Sequence, residues 1–381
     1  MVVGILGGGQ LARMFALAGI PLGLRFRCLD PAPDAVAGHV SELVVGTYDD
    51  PRALQRLVRG VRVVTFEFEN VPVAATRWLT DHVVVAPTPR ALEVGQDRVL
   101  EKRMFMALGM AVAPFQAADT REELHLAVAA VGAPCIVKTR RLGYDGRGQV
   151  RLRPGPDLPA AIDAAWVDLG AHGPGGLIVE RFIAFDRELS VLAVRSQRGE
   201  VAVWPLVENQ HESGILRCSR APAPDLPPTI ARQAEQFARA VLEHLDYVGV
   251  LAIELFLCGD QLLANEMAPR VHNSGHWTIE GSVCSQFENH LRAVLGMPLG
   301  STAMASGGCA TMVNLIGELP DRRALLALSG LRVHVYGKAP RPRRKLGHAT
   351  VVGLEREAVD ATAIAIAGLP AAEPGDWGFA G

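Results

Sequence analysis

The sequence predicts a chain of α/β and α+β domains that opens with a Rossmann-like, doubly wound sheet. Strand-like and helix-like segments alternate over roughly the first ninety residues, and a glycine turn follows the first strand. Further along, a glycine-rich stretch follows a strand that ends in a lysine. Two acidic strands then form a hairpin. Together these features indicate sites for phosphate groups and for a metal ion.

Composition limits the classes of protein that fit. The 381 residues suggest two or three domains, and 49% hydrophobic residues are enough for buried cores. The net charge of −2 predicts no general attraction to nucleic acid or to an anionic membrane. No apolar run approaches the roughly 18 residues that span a bilayer, and no basic leader precedes the first strand. The six cysteines are scattered without a Cys-x-x-Cys pair, so we expect a cytoplasmic, multidomain protein.

The first domain, predicted over residues 1–95, alternates strand and helix. Val2–Leu6 is an apolar run short enough for a buried parallel strand. Gln10–Gly19 has apolar residues at helical spacing. Two later strands, at residues 24–29 and 61–66, continue the strand and helix alternation that is typical of a parallel sheet.

The rest of the chain is predicted as a lid subdomain (96–182), a metal and nucleotide subdomain (183–298) and a C-terminal domain (299–381). Apolar periodicity predicts helices at residues 96–108, 122–131, 229–245 and 285–294. Short apolar runs predict strands at residues 135–138, 177–182, 187–195, 201–207, 248–257, 261–266, 312–316 and 332–336.

The first glycine turn matches the pattern G-x-G-x-x-A from Gly7 to Ala12, between a strand and a helix. A helix N-terminus presents free N–H groups, where an anion can bind. Asp30 ends the next strand, at the acidic position of the dinucleotide fingerprint. Three interpretations stay open: a turn that needs glycine only for close packing, a dinucleotide site, and a site for a smaller phosphorylated ligand.

Lys138 ends an apolar strand and precedes a glycine-rich stretch. No Gly-Lys-Ser/Thr sequence ends this stretch, so it is not a Walker loop. Its backbone N–H groups can close over phosphate oxygens, while Lys138 supplies a point charge and Arg147 a forked one. The alternative is a plain surface loop. The stretch consists of Gly143, Tyr144, Asp145, Gly146, Arg147, Gly148 and Gln149.

The acidic hairpin places Glu254 in the middle of a buried strand, with Asn265 and Glu266 on its partner. A three-residue loop sets Glu254 opposite Glu266, whereas a two-residue loop sets it opposite Asn265. Facing carboxylates repel, and a divalent cation relieves the repulsion. Mg²⁺ prefers one or two carboxylates together with phosphate oxygens. The alternative is that arginines neutralise both carboxylates.

In this order the features resemble the ATP-grasp superfamily: a strand lysine, a glycine-rich lid, a hinge strand, then paired Glu and Asn-Glu metal ligands. Four strings resemble the N5-carboxyaminoimidazole ribonucleotide synthetase family within it more closely. They are GGGQLARM (7–14), FEFENVP (66–72), GYDGRGQ (143–149) and NEMAPRVHNSGHWT (265–278). The similarity runs from residue 1 to about residue 350.

The resemblance implies an ATP-grasp fold with a Rossmann-like pre-ATP-grasp domain before it and a small C-terminal domain after it. It implies that bicarbonate is joined to 5-aminoimidazole ribonucleotide, with ATP becoming ADP and phosphate through carboxyphosphate. ATP and Mg²⁺, with two ions possible, are the implied cofactors, and a homodimer is usual. Glu254 and Glu266 would bind the metal, and Lys138, Arg147 and Arg270 would be catalytic.

The resemblance also assigns ligand contacts. Those to ATP are Arg90, Lys138, the seven residues 143–149, Glu180, Arg181, Phe182, Ile183, Glu188, His211, Asn265 and Glu266. Those to the ribonucleotide are Gly8, Gln10, Leu11, Glu69, Asn70, Tyr144, Asp145, Arg147, His272, Asn273, Lys338, Arg344 and Lys345. This chain departs from the family in having Arg343 where glycine is usual, and no small residue just before Gly143.

Other interpretations stay open beside this one. Formate-dependent glycinamide ribonucleotide transformylase and biotin carboxylase are other ATP-grasp ligases. The glycine turn and Asp30 alone also fit a nicotinamide-dependent dehydrogenase. An ATP-binding regulatory subunit is a third possibility, and residues 341–345 also fit a solvated run of charge.

Overall fold

A computed structural model describes residues 1–143, 146, 148–170, 175–305, 307–373, 376 and 377. Within these residues the strands form three sheets, here called the N-terminal sheet, the lid sheet and the large sheet. The strands are β1 (Val2–Leu6), β2 (Arg25–Asp30), β3 (Glu42–Val45), β4 (Val63–Phe66), β5 (Val84–Val85), β6 (Ala111–Val112), β7 (Phe115–Ala118), β8 (Cys135–Thr139), β9 (Gln149–Leu152), β10 (Leu177–Arg181), β11 (Arg187–Arg195), β12 (Val201–Val203), β13 (Val207–Glu212), β14 (Ile215–Ala221), β15 (Gly249–Cys258), β16 (Gln261–Ala268), β17 (Cys309–Ile316), β18 (Leu331–Val335) and β19 (Lys345–Gly353).

The α-helices of the described residues cover these sheets. They are α1 (Gln10–Gly19), α2 (Pro51–Val58), α3 (Val73–Thr80), α4 (Pro89–Gly95), α5 (Arg98–Ala107), α6 (Arg121–Val131), α7 (Leu158–Gly170), α8 (Pro228–His244), α9 (Thr278–Gly281), α10 (Gln286–Val294), α11 (Arg322–Ala327) and α12 (Arg356–Ala367). No helix in the described ranges combines the length and the apolar character that crossing a bilayer requires.

The N-terminal sheet has the order β3-β2-β1-β4-β5, and all its neighbouring strands are parallel. Side chains on β1 point alternately to its two faces. Val3 and Ile5 pack in one core cluster with residues of α1, and Leu6 packs in another with residues of α2 and α3. The prediction of a doubly wound, Rossmann-like sheet is therefore confirmed.

The lid sheet has the order β7-β10-β8-β9 and is antiparallel. Helices α6 and α7 pack on it through buried apolar residues, among them Leu124, Val128 and Ile162. The predicted helix at 122–131 is confirmed as α6, which begins one residue earlier, and Thr120 caps it by accepting the N–H of Glu123.

The large sheet has the order β18-β19-β17-β14-β13-β11-β15-β16-β6, with β12 paired to β11. Pairing of β14 with β17 joins the strands that precede residue 298 to those that follow it. The hydrogen-bonded sheet therefore runs through the predicted boundary between the metal subdomain and the C-terminal domain, and the division there stays a prediction.

The single strand predicted at residues 201–207 is wrong. The structure has β12 ending at Val203 and β13 beginning at Val207, with Trp204 buried between them. The N–H of Trp204 donates to the Leu192 carbonyl, whereas Pro205 has no N–H to continue a ladder. The proline therefore separates the two strands.

A buried histidine joins the N-terminal sheet to the large sheet. His290 on α10 accepts the N–H of Val250 at its Nδ1, 3.1 Å away. Its Nε2 therefore carries the ring proton and donates to Thr65 Oγ1 on β4, at 2.8 Å. Phe15 of α1 packs edge-on against Phe287 beside it, with ring centroids 5.6 Å apart. The two sheets thus share one core.

We expect Leu124→Ala to destabilise the lid subdomain by about 2–5 kcal/mol, because it leaves a cavity in a packed core. Leu124 is fully buried, whereas Leu126 on the same helix is 69% exposed. Urea denaturation of the two alanine variants measures the difference. Equal losses of stability in Leu124→Ala and Leu126→Ala would contradict this account of the lid core.

Candidate active site

One cleft of about 1080 Å³ lies where the three sheets meet. Its walls include Gln10 at the start of α1, Lys138 and Glu180 from the lid sheet, Glu254 from the large sheet, and Lys338 from the loop before β19. Most sequence-predicted residues line it: Gln10, Leu11, Glu69, Asn70, Lys138, Gly143, Gly146, Gln149, Glu180, Arg181, Phe182, Ile183, Glu188, His211, Glu254, Asn265, Glu266, Arg270, His272, Asn273, Lys338, Arg344 and Lys345.

Other predicted residues are not brought into the cleft lining. Arg90 lies at the surface, where its Nη2 is 3.0 Å from Nε2 of His244. Gly8 sits behind the lining and donates its N–H to Asp30. Gly148 supports the lid turn, since its carbonyl accepts the N–H of Thr139. Three predicted residues lie outside the described part of the chain: Tyr144, Asp145 and Arg147.

Glu180 is the centre of a buried charge cluster on the lid side. Its Oε2 lies 3.0 Å from Lys138 Nζ and 3.3 Å from Lys102 Nζ. Burial raises the pKa of Glu180, but the nearby Lys138, Lys102 and Arg98 outweigh it and lower the pKa to about 2. The carboxylate is therefore charged at neutral pH and holds the two lysines side by side.

Sequence reasoning missed Arg98 and Lys102, although α5 was predicted. Arg98 Nη1 lies 2.5 Å from Glu266 Oε2, and its Nη2 donates to the Gly143 carbonyl. The two cations are four residues apart and thus share one face of α5. A pair of cations at this spacing on a predicted helix was the signal that could have found them.

The acidic hairpin settles an alternative that the sequence left open. Cys258 pairs with Gln261, so Gly259 and Asp260 form a two-residue loop. Simple counting then places Glu254 opposite Asn265. The register shifts between Glu254 and Leu255, however. Glu254 therefore pairs with Glu266, and Asn265 is the extra residue of a β-bulge.

The pKa values of the two hairpin carboxylates are shifted in opposite directions. Burial and the neighbouring Glu266 raise the pKa of Glu254 to about 7, and His272 Nε2 lies 3.3 Å from it. Burial also raises the pKa of Glu266, but Arg98 and Lys138 outweigh it and lower the pKa to about 2. The alternative of two arginine-neutralised carboxylates therefore holds for Glu266 only.

The donor set fits Mg²⁺. Glu254 and Glu266 offer carboxylate oxygens in adjacent strand positions, and their mutual repulsion is relieved by a cation. Among the described residues, no group of three or more His, Cys, Asp and Glu side chains is arranged for a metal. Two carboxylates without further protein ligands suit an ion that takes its remaining oxygens from phosphate and water.

The first glycine turn encloses a side chain of the chain itself. Glu67 accepts the N–H of Gly9, and its Oε2 accepts the N–H of Ala12 at 2.9 Å. A Cβ on Gly7 would lie 2.4 Å from Glu67 Cγ, and one on Gly9 2.5 Å from Oε1. These amides are thus already paired, which argues against a dinucleotide pyrophosphate at this helix start.

Basic residues of the loop before β19, together with Lys345 at its start, line another part of the cleft, here called the basic end. Lys338 Nζ donates to Gln10 Oε1, and Arg344 Nη1 donates to the Ala339 carbonyl. Arg343 has a φ of +65°, in the left-handed region that favours glycine. Its Nη2 donates to the Ser213 carbonyl. Arg343 therefore adopts a conformation that costs a residue other than glycine about 1–2 kcal/mol.

Arg270 links this end to the hairpin. Its Nε lies 2.5 Å from Glu69 Oε2, and its Nη1 donates to the Val271 carbonyl. Burial raises the pKa of Glu69, but Arg270 outweighs it and the net shift is downward. The pair therefore stays ionic inside the cleft, beside Glu266.

Comparison with known families covers almost the whole chain. Residues 1–96 match the ribonucleotide synthetase preATP-grasp domain, 103–287 the ATP-grasp domain, and 310–362 the phosphoribosylaminoimidazole carboxylase C-terminal domain. N5-carboxyaminoimidazole ribonucleotide synthase of Pseudomonas aeruginosa is 46% identical over 361 residues, covering 95% of this chain and 97% of that protein. The chain belongs to the N5-carboxyaminoimidazole ribonucleotide synthase family. It is an ATP-grasp enzyme of the ATP-dependent ligase class.

Solved structures of the same family match the fold. The synthetase of Thermus thermophilus is 52% identical with a TM-score of 0.89, covering 98% of this chain and 99% of that one. The synthase of Aspergillus clavatus, solved with ADP and 5-aminoimidazole ribonucleotide, is 30% identical with a TM-score of 0.86, covering 96% and 98%. The predicted ATP-grasp fold with its two flanking domains is therefore confirmed.

We expect Gly9→Ala to lower the free energy of unfolding by about 1–3 kcal/mol, because the new methyl group overpacks against the Glu67 carboxylate. In the double variant Gly9→Ala/Glu67→Ala that clash is gone, so its loss should be smaller than the sum of the two single losses. Denaturant unfolding of the three variants measures the coupling. If the losses of stability in the two single variants add up to the loss in the double variant, then contact with Glu67 is not the reason that residue 9 is glycine.

Proposed function

We propose that this chain joins bicarbonate to 5-aminoimidazole ribonucleotide, using ATP and Mg²⁺, and releases N5-carboxyaminoimidazole ribonucleotide, ADP and phosphate. The observation that carries the proposal is the layout of the cleft. The lysine cluster, the carboxylate hairpin and the basic residues around Lys338 all line it. A nucleotide triphosphate and a second phosphorylated substrate can therefore be bound in one cavity.

The nucleotide end is assigned from the resemblance to the family, and the positions of these residues in the cleft lining support it. Lys138 and the backbone around Gly143 would contact phosphate oxygens, and the hinge after β10, with Glu180 to Ile183, would contact adenine and ribose. His211 donates to Glu188, with Nδ1 and Oε2 2.8 Å apart. The Glu188 carboxylate is thereby oriented toward the same part of the cleft.

Glu254 and Glu266 would hold Mg²⁺, which supplies charge neutralisation to the phosphates when bound. The residues of the chain then have distinct tasks. Lys138 neutralises charge that develops on the transferred phosphoryl group, and Arg270, fixed by Glu69, presents a second cation nearby. Arg147 keeps its predicted catalytic role as a proposal, and it lies outside the described residues.

The chemistry proceeds without a covalent enzyme intermediate. Bicarbonate is a poor electrophile, so its oxygen first attacks the γ-phosphorus of ATP, and carboxyphosphate and ADP form. The C–O bond to phosphate breaks, and the amine of the ribonucleotide bonds to the carboxyl carbon, directly or through released CO2, and loses a proton. Positioning and charge neutralisation supply most of the acceleration. Because carboxyphosphate reacts with water, the cleft must exclude solvent.

A homodimer and a cytoplasmic location remain part of the proposal and rest on the family alone. The direct test of the reaction is release of ADP, measured with and without each of the two other substrates. We expect ADP release to rise above the ATPase background only when both aminoimidazole ribonucleotide and bicarbonate are present. Equal ADP release with formate in place of bicarbonate would contradict the proposal and favour a different ATP-grasp ligase.

We expect Glu266→Gln to abolish magnesium-dependent ADP release, since the amide removes a negative charge from the proposed metal site. A matched control is Glu212→Gln, on β13, because the Glu212 side chain is 68% exposed and pairs only with a surface arginine in the described contacts. Circular dichroism checks that both variants are folded. Turnover near the wild-type rate in Glu266→Gln would rule out the metal assignment.

We expect Arg344→Ala to weaken binding of aminoimidazole ribonucleotide by about 2 kcal/mol, the value of a charge-assisted hydrogen bond to phosphate. Binding of ATP should change little, because its phosphates are assigned to the Lys138 end. Calorimetric titration of each ligand measures this, with Arg323→Ala on the exposed face of α11 as control. An equal loss for both ligands would place the substrate phosphate elsewhere.

A further inference from the structure

A buried amide supports the loop that carries His272 and Asn273. Gln286, the first residue of α10, is fully buried. Its Oε1 accepts the N–H of His272 at 2.9 Å, and its Nε2 donates to the His272 carbonyl at 2.7 Å. Both backbone groups of His272 are therefore held by one side chain, much as a neighbouring strand would hold them.

The same amide selects the tautomer of a second cleft residue, His276. Since an N–H donor occupies Oε1, the Nε2 group of Gln286 must be the donor, and it lies 3.2 Å from His276 Nδ1. His276 therefore accepts at Nδ1 and carries its proton at Nε2. Burial lowers the pKa of His276 to about 3, so the ring stays neutral.

The backbone of Gln286 and a nearby glycine complete the arrangement. The N–H of Gln286 donates to Thr278 Oγ1 at 3.0 Å, and that hydroxyl donates to the Gly275 carbonyl at 2.6 Å. A Cβ on Gly275 would lie 2.2 Å from Leu192 Cδ2 and 2.5 Å from Gln286 Oε1. The loop can approach the amide this closely only because residue 275 is glycine.

Holding the backbone of His272 also directs its ring. The N–H of Ser274 donates to His272 Nδ1, so the ring proton is at Nε2, which faces Glu254 Oε1 at 3.3 Å. The next residue, Asn273, makes reciprocal amide hydrogen bonds with Asn314 on β17. A shift of the His272 backbone would therefore move two side chains of the cleft wall.

We propose that Gln286 is a positioning residue for the ribonucleotide, which holds His272 and Asn273 in place without touching the substrate. The inference rests on the proposed function, since it assigns this part of the cleft to aminoimidazole ribonucleotide. Its place on α10 also ties the loop to the helix that joins the N-terminal and large sheets through His290.

The chain offers a matched control one turn further along the same helix. Asn289 is also fully buried, and it holds Gly300 in the same way. Its Nδ2 donates to the Gly300 carbonyl at 3.0 Å, and the Gly300 N–H donates to its Oδ1 at 2.7 Å. Neither Gly300 nor its described neighbours line the cleft. Loss of this amide removes comparable hydrogen bonds far from the substrate.

The experiment compares Gln286→Met with Asn289→Leu. Initial rates of ADP release are measured while aminoimidazole ribonucleotide and ATP are varied separately, at a temperature where melting curves show both variants folded. We expect Gln286→Met to raise the KM of the ribonucleotide about tenfold or more, as for a misplaced binding group, and to leave the KM of ATP nearly unchanged. Asn289→Leu should leave both KM values near wild type, although its melting temperature falls.

Gln286→Glu serves as the second variant, and decides the case if Gln286→Met does not fold. It keeps the shape and the acceptor for the His272 N–H but removes the donor, so we expect the same selective rise in KM. A ribonucleotide KM near wild type in the folded variant, or an equal rise for both substrates, overturns the proposal. Wild-type protein that releases no ADP in response to the ribonucleotide would contradict the proposed function instead.

Discussion

Buried ionic contacts between α5 and the two facing sheets determine the shape of the cleft. Moving an ion from water into a protein interior costs roughly several kcal/mol, unless an ion of opposite charge offsets that cost. These charged groups must therefore stay together. Lys102 of α5 reaches Glu180 of the lid sheet, and Arg98 reaches Glu266 of the large sheet. Glu101 between them accepts the N–H of Met267. One helix thus sets the spacing between the lysine cluster and the carboxylate hairpin.

Much of the fold followed from periodicity and turns. Segments with strong local patterns, such as α1, α6 and β15, were predicted to within a residue or two of the observed bounds. The predictions that failed depended on pairing between strands, or on a single residue within an apolar run. Pro205 splits an apolar run into two strands, and the bulge at Asn265 reverses the pairing that loop length predicts. Neither a bulge nor the pairing it restores can be read from alternation alone.

The structure brings most of the predicted site residues into one cleft, although their roles stay predictions. Lys138, Glu254 and Glu266 do line one cleft. Arg90 was assigned from the resemblance to the family, and the structure places it at the surface. Arg98, the first residue of α5, lines the cleft instead, and spacing along the chain does not tell which guanidinium points inward. The glycine turn is a similar case. Its pattern predicts an anion at the helix start, but not that the anion is the Glu67 carboxylate.

The continuous pairing of β14 with β17 has a consequence for modularity. A chain cut at residue 298 would lose β17 and β19, and the outer edge of β14 would be left with unpaired N–H and C=O groups. An open edge of this kind is a template for pairing with other chains, and it promotes aggregation. The C-terminal segment therefore covers the edge strand β14 as well as forming a wall of the cleft. We expect that it cannot be exchanged between proteins as an independent unit.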